Sequence, residues 1–263
     1  MKKIILATIS LITLLQAAPL GIVTHTEFGY VRNQGNTDDS TMTFDGKFQK
    51  DWDKHRTTTT LTGQLGREDN IASKNRWLLE TQYDYKFSEY FAFNYILGYK
   101  RDKFTSFDYQ LYTGPGAKYI ALHSKTQTLS ISFNGLYALD AKSDIYSSDG
   151  TNDGIIVKYP DSPTAGDSKI PGSGVDENYY GYRFGLEYSL QVVTNLKFIQ
   201  EFKYRNSFED TQNYFLYSKS GLSSKISDNL SAGISYSYDY VNTPEAGDEN
   251  YDSVLTANLI IDY

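Results

Sequence analysis

The chain contains no cysteine. That excludes disulfides, zinc–thiolate and iron–sulfur sites, a catalytic thiol and a lipid-bearing cysteine. Histidine is nearly as scarce, with only His25, His55 and His123. Three scattered imidazoles read as turn residues rather than metal ligands, and no cofactor is implied. No basic run stands out and the formal net charge is −7, so nucleic acid is not the expected partner. Past Leu15, no apolar stretch approaches the roughly 20 residues that a spanning helix needs.

The first residues carry a targeting pattern. Lys2 and Lys3 give a positive start, Ile4 to Leu15 is mostly apolar, and Ala17 and Ala18 supply small residues for cleavage. Pro19 sits badly after a cut at Ala18, so a signal peptide over 1–17 is expected, leaving a mature region over 18–263.

What the chain does have is aromatic residues, 15% of the total, with 24 Tyr and 14 Phe. Strand propensity accounts for part of this, and the preference of amphipathic rings for membrane–water boundaries for another part. The order of residues decides more. In 76–87, Trp77, Leu79, Thr81, Tyr83, Tyr85 and Phe87 fall on one face, and Arg76, Leu78, Glu80, Gln82, Asp84 and Lys86 on the other. Successive strand side chains point to opposite sides, so one face is apolar and the other charged.

The pattern recurs in twelve segments, near 21–33, 39–51, 56–68, 75–87, 90–102, 107–121, 125–139, 177–191, 194–207, 212–224, 229–241 and 251–263. It blurs in the third and sixth, at Thr57–Thr60 and Gly114–Gly116, and is also weak in the tenth. A soluble sandwich also alternates, but here charges line nearly every strand opposite large aromatic faces. The reading is an all-β, up-and-down antiparallel transmembrane barrel, its apolar faces toward lipid and its backbone satisfied by closure. The outer membrane of a Gram-negative-type bacterium is the expected location, with lipids and lipopolysaccharide around it. Leu259, Ile261 and Tyr263 close the last amphipathic strand and are expected to be read by the barrel assembly machinery.

An even strand number puts both termini at the periplasmic end with short turns there. The external connections include 140–177, rich in Gly, Pro, Ser and Asp, with eight acids against three lysines. Within it, Asp149, Thr151, Asp153 and Gly154 imitate the start of a calcium loop. Position twelve is Pro160 rather than the required Glu, so an acidic turn is the expectation.

The chain resembles the YdiY-like, salt-induced outer-membrane family, whose domain has no assigned activity. The resemblance rests on the first strand running into Gly35-Asn36-Thr37, the Trp52 turn, Phe-Ser-Glu-Tyr-Phe-Ala-Phe at 87–93 with Tyr109 to Gly116, and the amphipathic C-terminus. It implies an outer-membrane barrel and supplies no catalytic residues. The 140–177 segment looks like an insertion.

No Ser–His pair for lipid hydrolysis and no singled-out carboxylate pair is visible, so no enzyme is expected. The informative set is the inward charges: Arg76, Glu80, Asp84 and Lys86 on one strand, Arg183 and Glu187 on another, Lys197, Glu201, Lys203 and Arg205 on a third. A track for acidic sugars would carry one sign. Alternating signs favour pairing across strands and a largely filled interior, compatible with a narrow pore for small solutes. Two roles remain open: a narrow passive channel or envelope-stabilising protein, and a surface adhesin or ligand-binding barrel working through 140–177.

Overall fold

A computed structural model describes residues 21–34, 38–69, 71–105, 107–152, 154–157, 161–244 and 249–263. The expected signal peptide over 1–17, Gly35-Asn36-Thr37, Asp153 and Pro160 lie outside these. Twelve long strands form the wall: β1 (Ile22–Gln34), β2 (Asp38–Trp52), β3 (His55–Glu68), β4 (Ile71–Lys86), β5 (Phe91–Asp102), β6 (Phe107–His123), β7 (Gln127–Lys142), β11 (Glu177–Val193), β12 (Leu196–Ser207), β13 (Tyr214–Lys225), β14 (Leu230–Val241) and β15 (Tyr251–Asp262). Among the described residues, three two-residue strands lie between β7 and β11: β8 (Tyr146–Ser147), β9 (Ile156–Val157) and β10 (Ser168–Lys169).

Each long strand pairs antiparallel with its neighbour, and β1 pairs β15, so the twelve close into one up-and-down barrel. All twelve expected strands are present, including the blurred ones. Closure gives every wall strand a neighbour on both sides, and that is how a strand protein satisfies its backbone in hydrocarbon.

The barrel is inside-out relative to a soluble protein. Along β5, Phe93, Tyr95, Leu97 and Tyr99 are exposed while Ala92, Asn94, Ile96 and Gly98 are buried. Leu97, Phe133 and Leu255 are 49%, 54% and 62% exposed, yet Asn94 and Asn134 are at 0%. An apolar exterior this continuous is unstable in water and is what a lipid-facing wall requires. Aromatic contacts gather at both rims. Trp52, His55, Tyr83, Tyr85, Phe87 and Phe91 form a contiguous set at the short-turn end. Tyr182, Tyr204, Tyr214, Tyr240, Tyr238 and Tyr251 form another at the opposite end.

Two boundaries differ from expectation. β4 begins at Ile71 rather than near 75, and β7 runs to Lys142. Asp140 is therefore a wall residue, 1% exposed, and the connection runs over 143–176. That connection also carries its own three-stranded sheet, in the order β10-β8-β9. Buried Ile145 and Ile170 hold it, with the Ile170 amide donating to the Ile145 carbonyl at 2.8 Å. Asp149 accepts from the amide and hydroxyl of Thr151, both at 2.9 Å. Those bonds hold its carboxyl below the usual range.

The seam is the shortest ladder of the wall. β1 pairs β2 from Ile22↔Lys50 to Gln34↔Asp38, but meets β15 only from His25↔Asp262 to Tyr30↔Ala257. One further backbone pair, Thr24 with Tyr263, extends it at the terminal end. Leu259 and Tyr263 lie on the outward face, 45% and 49% exposed, with Ile261 between them.

Candidate functional site: a charged lumen

Alternation sends the charged face of each strand into the lumen, and the side chains meet there across the barrel. Glu80 of β4 is the principal hub. Arg183 Nη2 donates to both its oxygens, at 2.9 and 3.0 Å, although β5, β6 and β7 separate the two strands in the wall. Tyr112 donates its hydroxyl to Glu80 at 2.6 Å, and Lys203 stands 3.5 Å away while also pairing with Glu201 at 2.7 Å. Tyr112 reaches Glu80 by lying over Gly98, where any Cβ would collide with its ring. Glycine is therefore required at 98 by close approach.

Lys219 of β13 forms a second hub, bonded to Glu27 at 2.9 Å and Asp45 at 2.7 Å. Glu27 also accepts from Asn258, and His25 bridges Glu27 at 2.9 Å and Asp262 at 2.6 Å. Toward the long-loop end, Arg76 pairs with Asp239 at 2.9 Å and donates to Gln64 at 2.7 Å. Asp140 there accepts from Gln110 and Tyr179, both at 3.0 Å, with Arg205 at 3.4 Å. The Arg205 guanidinium sits 4.2 Å from the Phe215 ring centre and 5.2 Å from that of Tyr112.

The ten residues expected in the lumen thus divide. Glu80, Arg183, Glu201 and Lys203 come together. Arg76 and Arg205 join separate partners. Lys86 pairs with Asp51 beside Arg56 at the short-turn end. Glu187 meets Lys47 of β2 at 3.8 Å. Asp84 is buried, held by Gln82 at 2.7 Å and in register with Asn94. The Lys197 side chain has no ion pair or hydrogen bond among the described residues. Glu27, Asp45, Asp140, Lys219 and Asp239 were not among the ten, although strand alternation places each on a polar face.

Several of these groups are deeply buried: the Glu80 and Arg183 side chains are only 8% and 6% exposed. Burying charge is costly unless geometry and extra hydrogen bonds compensate, and here each hub has more than one partner. Lys47 and Glu187 are half exposed, where a pair contributes only about 0–1 kcal/mol. Two cavities flank the charged belt. One, about 320 Å³ at the short-turn end, includes His25, Glu27, Lys197 and Asp262 in its lining. The other, about 300 Å³ at the long-loop end, includes Phe107, Asp140, Lys142 and Glu177.

A family model described as a protein of unknown function, DUF481, matches residues 26–263. The chain belongs to this family. It is the family of the YdiY-like proteins that the sequence resembles. No protein of curated function matches the sequence. Among solved structures, an outer-membrane channel from Pseudomonas putida F1 aligns with a TM-score of 0.50 at 8% identity, covering 94% of this chain and 97% of that one. The NanC porin aligns at 0.49 and 12% identity, covering 91% and 99%. The translocator domain of the autotransporter NalP from Neisseria meningitidis also gives 0.49 and 12%, covering 97% and 92%. At 8% identity the likeness to the channel is one of fold.

Proposed function

We propose that this DUF481 barrel is a non-enzymatic outer-membrane protein that acts as a narrow passive channel for small solutes, braced by ion pairs across its lumen. The observation that carries the reading is the pair of cavities on either side of a charged belt. A plug serving stability alone is made better from apolar side chains, since replacing buried ion pairs by well-packed hydrophobic residues is often neutral or stabilising. Charges retained in mid-lumen fit a wet, constricted path.

The non-enzymatic part is supported by two of the three histidines, neither of which bonds a serine hydroxyl among the described residues. Both ring nitrogens of His25 face carboxylates, and His55 bonds the Tyr83 hydroxyl at 2.6 Å. In this reading the outward aromatic rims seat the protein among outer-membrane lipids and lipopolysaccharide, and the terminal strand engages the assembly machinery. A second reading, surface binding through 143–176, is favoured by one observation: that segment folds around Ile145 and Ile170 instead of lying open.

Planar-bilayer recording of the refolded protein tests this. Small discrete conductance steps are expected. Silence from a barrel shown to be folded by heat-modifiable gel migration overturns the channel reading and favours surface binding.

A further inference from the structure

Part of the lumen wall is biased by sign. β14 and β15 contain no lysine or arginine, and with β1 they turn Asp239, Asp252, Asp262 and Glu27 inward. Arg32, the one Lys or Arg of β1, alternates onto the outward face with Tyr30. On the other side, β11 and β12 turn Arg183, Lys197, Lys203 and Arg205 inward, against Glu177, Glu187 and Glu201. β13 lies between, and its Lys219 reaches to the acidic side.

The short-turn cavity of about 320 Å³ opens between these two walls. Lys197 lines it from the basic side, and Lys225 of β13, paired with Asp228 at 3.3 Å, also borders it. Arg183, Lys203 and Arg205 of the same wall are all paired, whereas the Lys197 side chain has no partner among the described residues. From the acidic side comes Asp262; Glu27 lies behind it, its oxygens already held by His25, Lys219 and Asn258. The Asp262 side chain is 52% exposed, and Oδ1 is its contact with His25. Asn195 and Asn258 add amide groups to the same lining.

An ion of one sign placed here gains from one wall and is repelled by the other. A solute carrying both signs, aligned across the cavity, gains from both. The space suits a molecule of amino-acid size. We propose that this cavity binds small zwitterions bearing one ammonium and one carboxylate. The ammonium lies toward Asp262 and the carboxylate lies on Lys197. This is then the solute class that the lumen passes most readily, an inference that rests on the channel reading.

Binding and passage are tested separately, with L-glutamine as the zwitterion and xylitol as an uncharged solute of similar size. Binding is read in refolded protein whose lysines carry isotope-labelled dimethyl groups, the Lys197 resonance being identified by its loss in Lys197→Gln. Glutamine is expected to shift that resonance and leave Lys125, which is outside the cavity lining, unmoved. Xylitol is expected to shift neither. Passage is read by swelling of proteoliposomes. Glutamine is expected to enter about threefold faster than xylitol or more, which corresponds to roughly 0.7 kcal/mol, and Lys197→Gln is expected to erase the difference. No glutamine shift at Lys197, or an equal shift with xylitol, overturns the site whatever the swelling shows. A specific shift without swelling by either solute overturns the channel reading and leaves the site standing.

Discussion

Glu80 and Arg183 are 103 residues apart in the chain and 2.9 Å apart in the lumen. Glu80→Gln keeps the shape and removes the charge facing both Arg183 and Lys203. Breaking a buried pair costs about 3–5 kcal/mol because the remaining charge is stranded. Urea unfolding in lipid vesicles is expected to show a loss of that order, with a smaller loss when Arg183→Gln is added. A single variant within about 0.5 kcal/mol of wild type refutes the hub.

The second prediction concerns the two faces. Tyr83, bonded to His55 in the rim cluster, belongs to the interface rather than the middle of the bilayer. Leu97, mid-strand on β5 and 49% exposed, is the mid-membrane position. Leu97→Arg is expected to cost about 2–4 kcal/mol and impair insertion. Gln82→Arg, facing inward beside Asp84, is expected to insert normally. Equal heat-modifiable migration and protease resistance in both variants contradict the facing assignment.

Tyr263 contributes its backbone to the seam while its ring faces out. Tyr263→Ala retains both backbone bonds. Slower assembly in cells with unchanged refolding into detergent is the expected result, and normal surface levels of the variant reject a recognition role for the ring.

Acid should loosen the outer segment before the barrel. The amide and hydroxyl of Thr151 hold Asp149 below the usual carboxylate range, and those of Thr164 do the same for Asp167. A folded-state pKa below the unfolded one stabilises above the unfolded value and is lost as pH falls through the folded one. Protection factors of the Thr151 and Thr164 amides are expected to drop below about pH 4 while wall amides keep theirs. Asp149→Ala should abolish the pH dependence at Thr151 alone. A pH-independent Thr151 amide disproves the account.

Period-two alternation made the wall legible in the sequence: every strand, its two faces and most ends follow from it. It says which side of the wall a residue occupies and nothing of whom it meets across the lumen. The Glu80–Arg183 and Lys219–Glu27 contacts depend on strand tilt, stagger and side-chain reach, which no single strand encodes. Asp140 was hidden differently. Lys142 and Asp144 follow it in an acidic, polar stretch, and the strand signal fades before the strand ends. The β8–β10 sheet was equally obscure, since two-residue strands carry no period at all.

The short seam gives the barrel a preferred way to fail. Above Tyr30↔Ala257 the two closing strands have no ladder between them, and every other junction in the wall is longer. Heat or pulling force should unzip β1 from β15 before it disturbs a hairpin. The product is a curled sheet of twelve strands with two bare edges, each offering unpaired amides and carbonyls to another copy of the chain. Damage to this protein would then spread as strand exchange between neighbouring molecules, beginning at β1 and β15, rather than as unravelling of single chains.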